Sequence, residues 1–217
     1  MALHPEGIFT SGPLFQLVSL AAWHDDPLEW QVLRLQRIVR TEYWDAHWRH
    51  PMQPLASQLD YMAATLTKDF FASCPPAAQE AWTTAAGNKS VAEFMRELAM
   101  LLRVADRDLD PDYDEIPLVE WEVRARFPLL LALGNWAYDD EYDSFEASVQ
   151  GRIDAEHPFC DRELVPIIAQ AMEALALCAQ SGRFASALES YASGATSAAL
   201  ATLTDLGHAH MRARHRP

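Results

Sequence analysis

Leu118 to Tyr138, LVEWEVRARFPLLLALGNWAY, is the most apolar stretch of this 217-residue chain. Leu118, Trp121, Ala125 and Leu129 recur at the three-and-four spacing of a helix face. From Phe127 to Trp136 the pattern is apolar on nearly every side, which predicts burial all round. Pro128 predicts a kink or a helix start, because proline breaks the hydrogen-bond ladder of a helix interior. Gly134 weakens the case for one regular helix. The part that is apolar all round, Phe127 to Trp136, is shorter than the about 20 apolar residues of a membrane span. Charge flanks it on both sides: Glu120, Glu122, Arg124 and Arg126 before, Asp139, Asp140 and Glu141 after. The reading is a pair of core helices at the centre of the fold, with no membrane.

Composition agrees with a folded core. Half of the chain is hydrophobic, far from the composition of disorder. The formal net charge is −14, which disfavours binding to nucleic acid phosphate or anionic lipid and suits a basic partner. Three cysteines, none in a C-x-x-C pair, fit a reducing compartment. The first residues, MALHPEGIFTSG, lack the basic and apolar regions of a signal peptide. The expectation is a cytoplasmic protein.

Outward from the central stretch, helices dominate. Residues 13–24 read as a short helix. Asp26, Pro27 and Glu29 read as an N-cap, a first-turn proline and a capping acid, opening a helix that runs to about Trp48. Its apolar residues fall on two faces, Leu28, Val32, Leu35, Val39 and Tyr43 on one, and Trp30, Leu33, Trp44 and Trp48 on the other, so it packs on both sides. A helix over 55–72 follows, then one opened by Pro75-Pro76 and stopped at Gly87. Ser90 and Glu93 form a capping-box pattern ahead of a helix over 91–105. Beyond the centre, helices are expected over 139–153, 162–180, 183–193 and 196–212, with breaks at Gly182 and Gly194. No period-two run of β-branched residues predicts a strand. The expected fold is all-α, a compact bundle of about ten helices in a single domain over 1–217, with any subdivision near 106–116.

Acidic segments are the strongest chemical feature. Asp106, Asp108, Asp110, Asp112 and Asp114 alternate through a segment read as a loop, with Glu115 after them. A calcium loop of the EF-hand type needs Gly sixth and Glu twelfth. Counting from Asp106 these are Pro111 and Pro117, and from Asp108 they are Tyr113 and Val119, so neither register fits. These acids, with Asp139, Asp140, Glu141 and Asp143, are assigned instead to binding a basic protein partner.

Histidine, cysteine and nucleophile patterns carry less. His47 and His50 lie one helical turn apart without a third ligand nearby. His157 and Cys160 form a second short pair. His208, His210 and His215 stand beside arginines whose charge opposes a cation. No metal or cofactor is assigned. No P-loop, dinucleotide fingerprint or nucleophile elbow occurs, and no catalytic residue is assigned.

Three patterns resemble known families. Gly182, Phe184, Ala187, Leu188 and Tyr191 resemble half of a tetratricopeptide unit, without a second copy at a fixed period. Arg40 with His47, and Arg152 with His157, resemble the Arg-to-His motif of the HEPN ribonucleases, which would imply an RNA-cutting enzyme. About 1.7 such spacings arise by chance in this composition. From Phe127 to Ala169, the order of PLLLALGNW, DDEYDSF and a helix opening Asp161-Arg162-Glu163-Leu164 resembles the helical PoNi-type immunity proteins. That resemblance implies a non-enzymatic cytoplasmic protein that blocks an interbacterial nuclease toxin through an acidic face. The alternatives are a HEPN-like ribonuclease and a helical scaffold.

Overall fold

The computed structural model describes residues 9–40, 52–107, 112–136 and 141–215, with the backbone alone at 39 and 40. Eleven α-helices and one 3-10 helix account for these residues, and no strand occurs among them. The all-α class follows. The chain divides into two compact units, Met1–Pro111 and Asp112–Pro217. The boundary falls inside the acidic segment 106–116.

The N-terminal unit contains α1 (Gly12–Trp23), α2 (Leu28–Arg40), α3 (Met52–Thr65), α4 (Lys68–Ser73), α5 (Pro76–Ala86) and α6 (Val91–Ala105). α3 and α6 form its broadest helix pair, and α1 packs on α5. Leu55, Leu59, Phe94, Leu98 and Leu102 are buried along the first contact. These are the positions that three-and-four spacing marks. Trp82 is fully buried and stands 5.1 Å from the Phe9 ring, with its indole N–H donating to the Phe9 carbonyl at 3.3 Å. A buried indole needs such an acceptor.

Local chemistry sets the ends of these helices. Ser90 caps α6 with both bonds of the capping box: its hydroxyl accepts from the Glu93 N–H, and its own N–H donates to the Glu93 carboxylate at 2.8 Å. Two orphan donors of the first turn are thereby satisfied. The helix expected over 55–72 is two helices, with Thr67 capping the second. α2 begins one residue later than Asp26 as N-cap would place it. The Pro27 carbonyl accepts the first turn's N–H groups, and Asp26 instead pairs with the buried Arg34 at 2.7 Å. α2 is packed on two sides, but its second buried side is polar, Gln31, Arg34 and Arg37, and Gln36 is buried beside Val32 on the first. Tyr43, Trp44 and Trp48 lie outside the described residues.

The C-terminal unit contains α7 (Glu120–Arg126), the 3-10 helix η1 (Leu130–Trp136), α8 (Phe145–Glu156), α9 (Leu164–Gln180), α10 (Gly182–Tyr191) and α11 (Ser197–Arg214). α9 and α11 form its broadest contact. Gly207 makes the crossing close, since a Cβ there would come within 2.3 Å of Ile168 Cδ1.

The central apolar stretch belongs to this unit, and its structure corrects the expected pair of core helices. α7 ends before Phe127-Pro128, and the chain resumes as a 3-10 helix. Phe127, Leu130 and Leu133 are buried and Trp136 partly so, while Ala132 is exposed. Their spacing of three is the 3-10 period, so a single edge faces inward and the stretch is not buried all round. The Leu129 N–H, left over after Pro128, donates to the buried Gln170 side chain at 3.0 Å. Gly134 has its own reason: a Cβ there would stand 2.7 Å from the Ser193 carbonyl oxygen, beside Gly194 at φ +83°.

Two other boundaries move. The acids expected at a helix start over 139–153 precede α8, which Ser144 caps at Phe145. Ser181, rather than Gly182, separates α9 from α10, and its hydroxyl accepts from the Phe184 N–H at 3.1 Å. A buried polar set braces α7: the Tyr113 hydroxyl donates to Glu122 at 3.3 Å, and Arg126 donates to Tyr113 at 2.5 Å and pairs with Glu173 at 2.6 Å. Burial works against the Arg126 charge, but Tyr113, Glu173 and Glu122 outweigh it and raise the pKa above its ordinary value.

Candidate metal centre

Residues far apart in the sequence meet at one end of the C-terminal unit. α8 ends at Glu156, and the turn that follows carries His157 and Cys160. The Cys160 carbonyl accepts the N–H groups of Leu164 and Val165, which ties the turn to the start of α9. α11 packs on both α8 and α9 and brings His210 to the same place. His215 caps the C-terminus of α11, where the chain leaves the helical direction and returns its ring toward His210.

His157, Cys160, His210 and His215 each offer one ligand atom, and these four atoms all lie within 4.8 Å of one another. Cys160 Sγ is 3.4 Å from His210 Nε2 and 3.9 Å from His157 Nδ1. The three imidazole rings stand 5.1 to 5.7 Å apart, centre to centre. Cys160 and His210 are buried, His215 is half-buried and His157 is exposed. His210 Nδ1 faces Asp154 Oδ1 at 3.6 Å, so the nitrogen turned away from the sulfur has a carboxylate behind it.

Electrostatics favour uncharged groups here. Burial pushes the Cys160 thiol up, and the carboxylates of Asp161 and Glu156 add to the shift. Burial also lowers the pKa of His210; Asp154 opposes that, while His157, His215 and Arg214 reinforce it. A neutral imidazole is the form with a free lone pair to donate.

Two chemistries need a sulfur beside an imidazole backed by a carboxylate. One is a nucleophilic Cys-His-Asp arrangement. It requires a thiolate that substrate can reach, in surroundings that lower its pKa. Cys160 has no exposed surface and its pKa is raised. A nucleophile also has no use for two further imidazoles. The other chemistry is metal ligation, in which sulfur and nitrogen donors converge on one point.

The remaining candidates from the sequence are placed as follows. Arg152 pairs with Glu156 at 2.6 Å, within α8, and His157 sits in the cluster above. His47, His50 and the Arg40 side chain lie outside the described residues. Among the acids, Asp112, Asp114, Glu115, Glu141 and Asp143 are exposed, and Asp106 caps the end of α6 half-buried. Asp114 is committed internally: its carboxylate accepts from the Ser181 hydroxyl at 2.6 Å, and its carbonyl accepts from Arg183 at 2.7 Å. Asp112 accepts the Asp114 N–H at 2.9 Å, a local turn bond. Asp108, Asp110, Asp139 and Asp140 lie outside the described residues.

The histidine cluster was not legible as one site in the sequence. Its signal was present as two fragments, His157-x-x-Cys160 and His210 with His215, separated by a 50-residue gap between Cys160 and His210. The arginines beside the second fragment argued against a cation, and Arg214 does act on His210, but Arg212 and Arg214 are both exposed, where solvent weakens their charge. His208 is two residues from His210, about 200° around the helix, and is not part of the cluster. Compared with protein-family models, curated proteins and solved structures, the chain matches none.

Proposed function

We propose that the chain is a non-enzymatic binding protein that docks a basic protein partner through the acidic segments of its C-terminal unit. In the form that the PoNi-type resemblance implies, it is an immunity protein that neutralises an interbacterial toxin. The observation that carries the reading is charge. From Asp112 to Pro217 there are 17 acidic residues against 8 Arg and no Lys. Asp112, Glu115, Glu141, Asp143 and Glu146 are exposed. Asp139 and Asp140 belong to the same proposed surface by sequence. Asp114 does not, because its carboxylate is held by Ser181. Like charges gathered on one unit raise the encounter rate with a basic partner.

The test is capture of partners from the native cell at low and high salt, followed by association kinetics. One stoichiometric basic protein should bind, and more weakly as salt rises. Reversing Asp139, Asp140 and Glu141 to Lys should slow its association at least about tenfold at low salt. Capture of no basic protein, or association unchanged by salt and by the reversal, would remove the reading.

A further inference from the structure

We infer that His157, Cys160, His210 and His215 form a four-coordinate zinc site that fastens the C-terminal end of α11 to the turn between α8 and α9. Four side chains of ligating type converge from three places in the chain, and their donor atoms lie within 4.8 Å of one another. A tetrahedral zinc with one thiolate and three imidazoles sets its donors about 3.3 to 3.6 Å apart, from the usual zinc–sulfur and zinc–nitrogen distances. The Cys160–His210 separation of 3.4 Å already matches. From 4.8 Å, the widest separation must close by roughly 1.2 to 1.5 Å. The exposed His157 and the half-buried His215 can supply that by rotating their rings.

Two further observations point to a bound cation. His215 Nε2 is buried with no hydrogen-bond partner among the described residues. An imidazole nitrogen left so is costly unless a ligand meets it. Asp154 Oδ1 stands 3.6 Å behind His210 Nδ1, a small side-chain movement away from the carboxylate–histidine bond that orients a ligating imidazole and raises its basicity. The donor set selects the metal. One sulfur and three nitrogens, with no carboxylate of the described residues in the group, suit zinc over calcium or magnesium, which want oxygen. Four protein ligands leave no open position for a substrate, so the site is structural. On binding, Cys160 releases its thiol proton to solvent and donates as the thiolate. None of this depends on the proposed docking surface, so either can fail alone.

The full chain, purified without a polyhistidine tag from zinc-supplemented cells, should carry one equivalent of zinc by elemental analysis. Chelator-stripped protein titrated with Co2+ should develop the visible bands of tetrahedral cobalt and a thiolate-to-metal charge-transfer band. Cys160→Ser should lose the charge-transfer band. Asp154→Asn should bind cobalt about 10- to 100-fold more weakly. His208→Ala, outside the cluster, should bind as the wild type does. The wild-type measurements do not require any variant to fold. A folded wild-type chain without bound zinc and without a cobalt spectrum overturns the site, as does a charge-transfer band that survives in Cys160→Ser.

Discussion

The two units are built of similar helices and both bury polar side chains, on α2 in the first and around α7, α9 and α11 in the second, but the partners of those groups differ. In the N-terminal unit, the α3–α6 contact and the Phe9–Trp82 cluster are made of apolar and aromatic side chains, and Trp82 carries its one polar atom to a neighbouring carbonyl. In the C-terminal unit, an apolar core around Phe127, Phe184 and Leu200 is bordered by the Tyr113–Glu122–Arg126–Glu173 set and by the histidine–cysteine cluster. Apolar packing is non-directional and tolerates many partners. Polar groups taken out of water must each find a specific partner at a specific place. The apolar part of each interior is therefore specified by pattern, while its buried polar groups are specified by partners, Asp26 close in sequence for Arg34 in the first and Glu173 distant in sequence for Arg126 in the second.

That contrast can be broken at graded strengths. Trp82→Ala empties a fully buried site and should cost about 3 to 5 kcal/mol in the N-terminal unit. Denaturant unfolding, with hydrogen exchange along α3 and α6, checks it; a loss under about 1 kcal/mol would mean the aromatic cluster is not a keystone of that interior. Next comes Gly134→Ala, which drives a methyl against the Ser193 carbonyl at 2.7 Å. The obstacle is backbone and cannot rotate away, so about 1 to 3 kcal/mol should be lost in the C-terminal unit. Thermal unfolding of that variant would decide whether η1 is as tightly seated as its contacts with Ser193 indicate.

The smallest effect is at the α6 cap. Ser90→Ala removes half of the capping box and should cost about 1 kcal/mol. The hydrogen bonds from Ser90 hold the Glu93 carboxyl below its ordinary 4.5. A carboxyl depressed in the folded state stabilises above that pH, and the contribution fades as pH falls through the folded value. The stability gap between wild type and Ser90→Ala should shrink in acid. A gap that stays constant down to low pH would show that Glu93 is not part of the cap.

How much was legible varies by element. α6 was predicted to the residue, because a capping box and a three-and-four apolar face are both local. α2 was legible as a helix packed on two sides, but its buried polar side was not, since periodicity counts apolar residues only. The 127–136 stretch was misread because an apolar run does not say which helical period it takes. The spacing of three in Phe127, Leu130, Leu133 and Trp136 held that information. The break between α9 and α10 was assigned to Gly182 when Ser181 performs it, as a capping hydroxyl does more than a missing side chain.

Short-range physics therefore sufficed for the helical class, the acidic character and most helix ends. Each of these depends on residues within a few positions of one another, or on composition alone. The meeting of His157 and Cys160 with His210 and His215 was decided only in three dimensions. The packing of α11 on α8 and α9 places donors together that are some fifty residues apart, and no periodicity in the chain records that distance. The same holds for Asp114, which reads as one more surface acid until Ser181 is seen to hold it.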